Sequence, residues 1–148
     1  MKLQYRLATT NDLPLLAEWN RQLIEDEGHR NPMRGAELTE RMRGWISADY
    51  RAVLFEQESK VVAYALYRED QDSLYLRHFF VLRDQRRRGI GRRCMELLFK
   101  EIWPQNKRLT VDVLSWNHGA VSFYRSLDFT DYCLTLERGP GFNDRREL

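Results

Sequence analysis

Val81-Leu82-Arg83-Asp84-Gln85-Arg86-Arg87-Arg88-Gly89-Ile90-Gly91 leaves an apolar, strand-like run and enters an amphipathic helix across two glycines. The first N–H groups of a helix have no partner within it and carry the positive end of its dipole. Glycines at a strand-to-helix turn therefore let a phosphate approach the backbone directly. Arginines add charge, so the segment reads as an anion site, with a diphosphate able to share several adjacent N–H groups. A glycine pair alone favours a tight turn beneath a solvated arginine face, since lone glycine pairs are common. No G-x-x-x-x-G-K-S/T pattern is present, and the glycines do not follow the βαβ unit of a dinucleotide fold.

Working outward, three β-rich runs precede the turn: Ala52 to Glu56, Val61 to Tyr67 and Ser73 to Leu82, joined by loops short enough for antiparallel hairpins. Before them, Leu3 to Leu7 alternates as a strand. Thr10-Asn11-Asp12 and Pro14 then open a helix with Leu13, Leu16, Trp19 and Leu23 on one face, ending near Gly28. A second helix presents Leu38, Met42, Trp45 and Ile46. After the turn, Ile90, Cys94, Leu97 and Leu98 form a helical stripe that stops at Pro104. Leu109 to Leu114 reads as a strand, Asn117 to Leu127 as a short helix and Phe129 to Leu136 as a closing strand. The expected fold class is α/β (α+β), a mixed, mostly antiparallel central sheet flanked by helices in the order βααβββαβαβ.

The chain has 148 residues, 43% hydrophobic and 31% charged, which suits one domain with its own core. We expect a single domain over 1–148, with 139–148 as a short charged tail. Cys94 and Cys133 form no C-x-x-C and have no His at ligand spacing, so reduced, buried thiols are expected, with no disulfide framework and no metal site. No secretory leader or membrane-length apolar run is visible, which points to the cytoplasm and away from a membrane. The net charge of +2 hides Arg83, Arg86, Arg87, Arg88, Arg92 and Arg93 within eleven residues. A nucleic-acid reading of that cluster would need aromatic or helical readout elements beside it, and none is evident.

Arg86-x-x-Gly89-x-Gly91 after Val81 resembles the acetyl-CoA motif Q/R-x-x-G-x-G/A of the GCN5-related N-acetyltransferase (GNAT) superfamily. Further on, Asn117-x-x-Ala120-x-x-Phe123-Tyr124-x-x-Leu127-x-Phe129 is similar to that family's second motif, N-x-x-A-x-x-F/L-Y-x-x-x-G-F. Both motifs fall in the family's order and on its elements, so the resemblance covers nearly the whole chain. It implies an acyl-CoA-dependent N-acyltransferase with acetyl-CoA as co-substrate, acting on an amine-bearing small molecule or peptide. A non-catalytic acyl-CoA sensor is the alternative. Many members are dimers, but no interface patch can be read here.

The resemblance also assigns roles. The backbone of Phe80 and Val81 would pair with the pantetheine arm and the acetyl carbonyl, along strands that splay apart at a bulge. Arg86 opens the loop, and N–H groups from Arg87, Arg88, Gly89, Ile90 and Gly91 would hold the pyrophosphate. Asn117 would contact the pantetheine or orient the neighbouring strand. Tyr124 would protonate the departing thiolate, a role that suits a phenol still protonated at neutral pH. Asp128 stands where the motif carries Gly, at a turn expected to need a left-handed residue.

The acceptor side stays open. Glu25, Glu27 and His29, at the end of the first helix, can attract and deprotonate a cationic amine, or be a solvated helix end. His78 lies in Tyr75-Leu76-Arg77-His78-Phe79-Phe80-Val81, similar to the Y-L-E-D-F-F-V of diamine acetyltransferases. Arg77 and His78 replace two acids there, which disfavours a polyamine. His78 can be the general base or a hydrogen-bonded structural histidine.

Overall fold

A computed structural model describes residues 2–140. It divides into two compact units, one ending at Leu114 and one beginning at Ser115. The first contains β1 (Leu3–Leu7), α1 (Leu13–Glu27), α2 (Gly35–Ile46), β2 (Tyr50–Gln57), β3 (Lys60–Glu69), β4 (Ser73–Val81), α3 (Ile90–Leu97) and β5 (Arg108–Val111). The strands form one sheet in the order β1-β2-β3-β4-β5, antiparallel except for the parallel β4–β5 pair, so the fold class agrees with expectation.

Local chemistry explains the boundaries. Thr9 and Asp12 form a reciprocal capping box at a 3-10 turn, with the Thr9 N–H donating to Asp12 Oδ2 at 2.8 Å. Pro14 then occupies the first turn of α1. Gly28 closes α1 in the left-handed region at φ 65°. Helix α3 begins at Gly89, φ 78°, and runs into a π-helical turn, Leu98–Ile102, before Pro104.

Two apolar layers sandwich the sheet. On one face, Tyr50, Ala52, Leu54, Tyr64, Leu66 and Phe80 pack with Leu13, Leu16, Trp19 and Leu23 of α1 and Met42 of α2. On the other, alternation along β3 turns Ala63, Ala65 and Tyr67 outward from that layer, and Tyr67 meets Trp103 at 5.6 Å between ring centroids. Cys94 lies in the interior, where burial pushes its thiol up to about 12 and makes it unreactive. Cys133, expected to be buried, is exposed.

Glu58-Ser59 joins β2 to β3 as a two-residue loop, since Gln57 pairs with Lys60; both residues have positive φ, 54° and 66°. Such a turn favours Asn-Gly because each ordinary side chain held in the left-handed region costs roughly 1–2 kcal/mol. Replacing Glu58-Ser59 with Asn-Gly is expected to raise the melting temperature by ~3–8 °C in a thermal unfolding scan. An unchanged or lower value would contradict this turn geometry.

The second unit carries α4 (His118–Ser126), capped by the Asn117 side chain, whose Oδ1 accepts from the Ala120 N–H at 3.2 Å. Asp128 is left-handed, φ 71°, as the missing motif glycine led us to expect. The closing strand is a correction: Phe129 to Leu136 is not a strand, and Tyr132, Leu134 and Leu136 are 78%, 76% and 83% exposed. Its alternating pattern is real, but a strand exists only when a neighbour completes its hydrogen-bond ladder, and none does so among the described residues. Most of the expected tail, 141–148, lies outside the described residues.

Candidate functional site

Strand β4 is paired on both sides only over its first half. Ser73, Leu74, Tyr75 and Leu76 are in register with Arg108, Leu109, Thr110 and Val111 of β5, and there the pairing stops. From His78 to Val81, β4 is paired with β3 alone. Its backbone groups on the β5 side are thus left outside the sheet ladder, an edge to which an extended ligand can add as a strand would.

A bulge marks the point of departure. Leu66 pairs with His78 and Tyr67 with Leu76, so Arg77 is an extra residue opposite none. An inserted residue reverses the alternation, and Arg77 and His78 consequently share one face, the face covered by α1 and α2. Both reach Trp45 of α2: the Arg77 guanidinium lies 4.9 Å from its ring centroid and the His78 ring 5.3 Å.

Past Val81 the chain makes a 3-10 turn, Arg83–Gln85, and enters α3 through two left-handed residues, Arg87 at φ 64° and Gly89 at φ 78°. Left-handed residues interspersed in a turn gather successive N–H groups into a concave, anion-binding surface, and here that surface runs into the unpaired N–H groups of α3. A Cβ placed on Gly89 would find nothing of the protein within 4 Å, so the space beside it is open. Arg87 and Arg88 are exposed; the Ile90 side chain is buried and anchors the helix. Phe80, 1% exposed, packs on Trp19 at 5.4 Å between ring centroids, and its register with Tyr64 turns its backbone groups to β3, so the groups facing the open edge there are those of Val81.

Arg86 is turned inward. Its Nε donates to the Val81 carbonyl at 2.7 Å and its Nη2 to Asp26 Oδ2 at 2.7 Å, while Arg83 reaches Asp26 and Glu25 at 2.7 and 2.9 Å. The acids at the end of α1, unfavourable to its dipole, thereby tie that helix to the glycine turn. Burial works to raise the Asp26 pKa, but the hydrogen bonds from Arg83 and Arg86 outweigh it and hold the carboxyl below its ordinary value. Its stabilising contribution is complete above the unfolded pKa and disappears as pH falls through the lower folded one. Asp26→Asn is expected to weaken acetyl-CoA binding about fivefold by loosening the turn, on the order of 1 kcal/mol for a pair this exposed. Calorimetric titration checks this, and unchanged affinity would separate Asp26 from the turn.

The remaining acceptor-side residues of α1 differ. Glu25 is occupied by Arg21 and Arg83. Glu27 is partly buried; burial, then the neighbouring Asp26 charge, raises its pKa, and its own charge acts on the Tyr64 hydroxyl. Tyr64 is buried in β3 and shares a 3.2 Å hydrogen bond with His78 Nδ1. Burial first, then the charges of Arg41, Arg77 and His29, lower the His78 pKa to about 3, so its imidazole is neutral at physiological pH. Arg41 and Asn20, which the sequence did not single out, join this group through a 3.0 Å bond from Arg41 Nη2 to Asn20 Oδ1. Asn20 was detectable as a lone amide on the otherwise apolar face of α1; Arg41 gave no signal.

In the second unit Tyr124 is buried, its ring 5.2 Å from Phe123 and 5.4 Å from Phe129, and Asn117 caps the same helix. Among the described residues no cluster of His, Cys, Asp and Glu could hold a metal ion, and no helix is long and apolar enough to cross a membrane.

Solved structures share this fold. A possible acetyltransferase from Clostridium difficile 630 superposes with TM-score 0.76 at 19% identity, over 95% of this chain and 99% of that one. A predicted acetyltransferase with acetyl-CoA from Clostridium acetobutylicum gives TM-score 0.70 at 19% identity, over 92% and 95%. An aminoglycoside N-acetyltransferase in complex with CoA gives 0.73 at 13% identity, over 95% and 96%. Comparison with curated proteins gives no match. The model of the Acetyltransferase (GNAT) family matches residues 14–129, and the chain belongs to that family.

Proposed function

We propose that this protein is a single-domain N-acetyltransferase that moves the acetyl group of acetyl-CoA directly to the primary amine of a small molecule or peptide. The observation that carries the reading is the half-paired strand β4, whose free edge from Arg77 to Val81 leads into the left-handed turn at Arg87 and Gly89. Pantetheine adds along that edge beside Phe80 and Val81. The pyrophosphate rests on N–H groups from Arg87 to Gly91, with Arg87 and Arg88 supplying charge and Arg86 bracing the turn.

The neutral amine attacks the thioester carbon, the C–S bond breaks, and its electron pair stays on sulfur. Tyr124 gives the thiolate a proton; Asn117 sets the start of its helix. A backbone N–H at Val81 stabilises the oxyanion. The proton lost by nitrogen needs an acceptor that can hold it. His78 is unsuited, because burial and two guanidinium groups oppose its cation; its neutral ring instead orders Tyr64 and Trp45. Glu27 takes the proton, directly or through water, its raised pKa making it a better base than an ordinary carboxylate. The active form is the carboxylate, so activity grows as pH rises through that value.

The test is turnover. With acetyl-CoA and a panel of primary amines, release of free thiol must accompany N-acetylation of one of them. Thiol release without acetylated amine would mean transfer of the acetyl group to water and would contradict amine transfer; acetyl-CoA binding with no turnover across the panel would favour a non-catalytic sensor.

A further inference from the structure

Resting on that reading, we infer that the acceptor is an amine that also carries a carboxylate, held by Arg41, Arg77 and Asn20 beside the unpaired half of β4.

The argument starts from donors that lack acceptors. Asn20 is 1% exposed, and its Nδ2 has no hydrogen-bond partner; neither does the buried Nε of Arg41, the residue to which Asn20 is bonded. A buried N–H left unmade is among the more destabilising features a fold can keep, and two at one place call for a shared acceptor. Guanidinium groups and the free end of this amide can only donate, so whatever satisfies them accepts.

Charge narrows the acceptor further. Arg41 and Arg77 both lie against Trp45, 4.5 and 4.9 Å from its ring centroid, and neither has an ion pair with a carboxylate among the described residues. The other arginines near this face behave differently: Arg68 pairs with Asp70, Arg83 and Arg86 with Asp26. Arg77 spends its Nε on the Tyr50 hydroxyl at 3.0 Å and keeps the rest of its fork open, while Tyr50 and Tyr75 flank it at 5.6 Å. Burial and Arg77 both act against the charge of Arg41. Cation–π stacking on Trp45 accounts for the placement of the two planes but not for their unfilled edges. A planar carboxylate matches such edges and cancels the repulsion between the two cations.

The bulge makes the site geometrically specific. Without the extra residue at position 77, alternation would send Arg77 to the opposite face of the sheet; with it, the guanidinium stands beside His78 on the same side as Arg41. From His78 to Phe80 is two residues, about 7 Å along the strand, and from Arg77 about 10 Å. The carboxylate and the attacking nitrogen are therefore spaced by a short chain, and Glu27 provides the complementary negative charge for the incoming ammonium.

The experiment uses matched ligands: α-amino acids and linear ω-amino acids of up to about six carbons, each beside its carboxamide and its decarboxylated amine. Turnover and the ligand-induced rise in melting temperature are both read with acetyl-CoA present. At least one acid should respond while its amide and amine are on the order of 10- to 100-fold weaker, as expected for lost charge-assisted hydrogen bonds. Arg41→Met should erase that preference by raising KM for the acid alone, with kcat and acetyl-CoA affinity nearly kept. The exposed Arg77→Met repeats the test should Arg41→Met fold poorly. Equal response to acids and amides, stronger response to neutral or polycationic amines, or no response to any carboxylate would overturn the inference. Failure to bind acetyl-CoA at all would instead overturn the acetyltransferase reading on which it rests.

Discussion

Gly89→Val abolishes measurable acetyl-CoA binding, an expected loss of at least about 100-fold in affinity, while the protein stays folded. Two effects combine. At φ 78° a β-branched residue is a steric outlier costing roughly 1–2 kcal/mol, which the turn relieves by moving away from its left-handed geometry. The new side chain also projects into the space where no protein atom lies within 4 Å, the space a phosphate needs to reach the backbone N–H groups. Gly89→Asn is the informative companion, because asparagine tolerates the left-handed region and should retain more affinity than valine. Affinity unchanged in Gly89→Val would remove the turn from the cofactor site.

Tyr124→Phe acts on the other term of the rate. The ring contacts with Phe123 and Phe129 persist, so folding and acetyl-CoA affinity change little. The departing thiolate loses its proton donor, and kcat is expected to fall by about 10²–10³, within the ordinary range for general acid catalysis. Single-turnover kinetics with a good acceptor check it. An unaltered rate would take Tyr124 out of the mechanism and leave it a core aromatic.

The helices and the first five strands were legible because their residues repeat at the period of the element that buries them. Leu13, Leu16, Trp19 and Leu23 mark α1, and alternation marks β2 to β4. The glycine turn was legible for a different reason: Arg86-x-x-Gly89-x-Gly91 between a strand and a helix, followed by the Asn117 to Phe129 motif in the family's order, is far more specific than a glycine pair alone. Asp128 gave away its left-handed conformation by standing where glycine is usual. Two features were not legible. The missing strand at Phe129 to Leu136 depends on a neighbouring edge, which alternation within the segment does not encode. The Asn20, Arg41 and Arg77 group depends on a one-residue bulge at Leu66 and Tyr67 and on the crossing of α1 over α2. Residues far apart in sequence meet there, and only the register of β3 with β4 reveals that Arg77 shares a face with His78. The pairing of Asp26 with Arg83 and Arg86 likewise joins residues far apart in sequence.

The most direct measurement is a calorimetric titration of the purified protein with acetyl-CoA, beside NADH and a short DNA duplex. We expect one acetyl-CoA per chain at micromolar affinity, lost in Gly89→Val, with no heat from the other two. Absence of acetyl-CoA binding, or tighter binding of either control, would contradict the assignment of the half-paired strand and its glycine turn to coenzyme A.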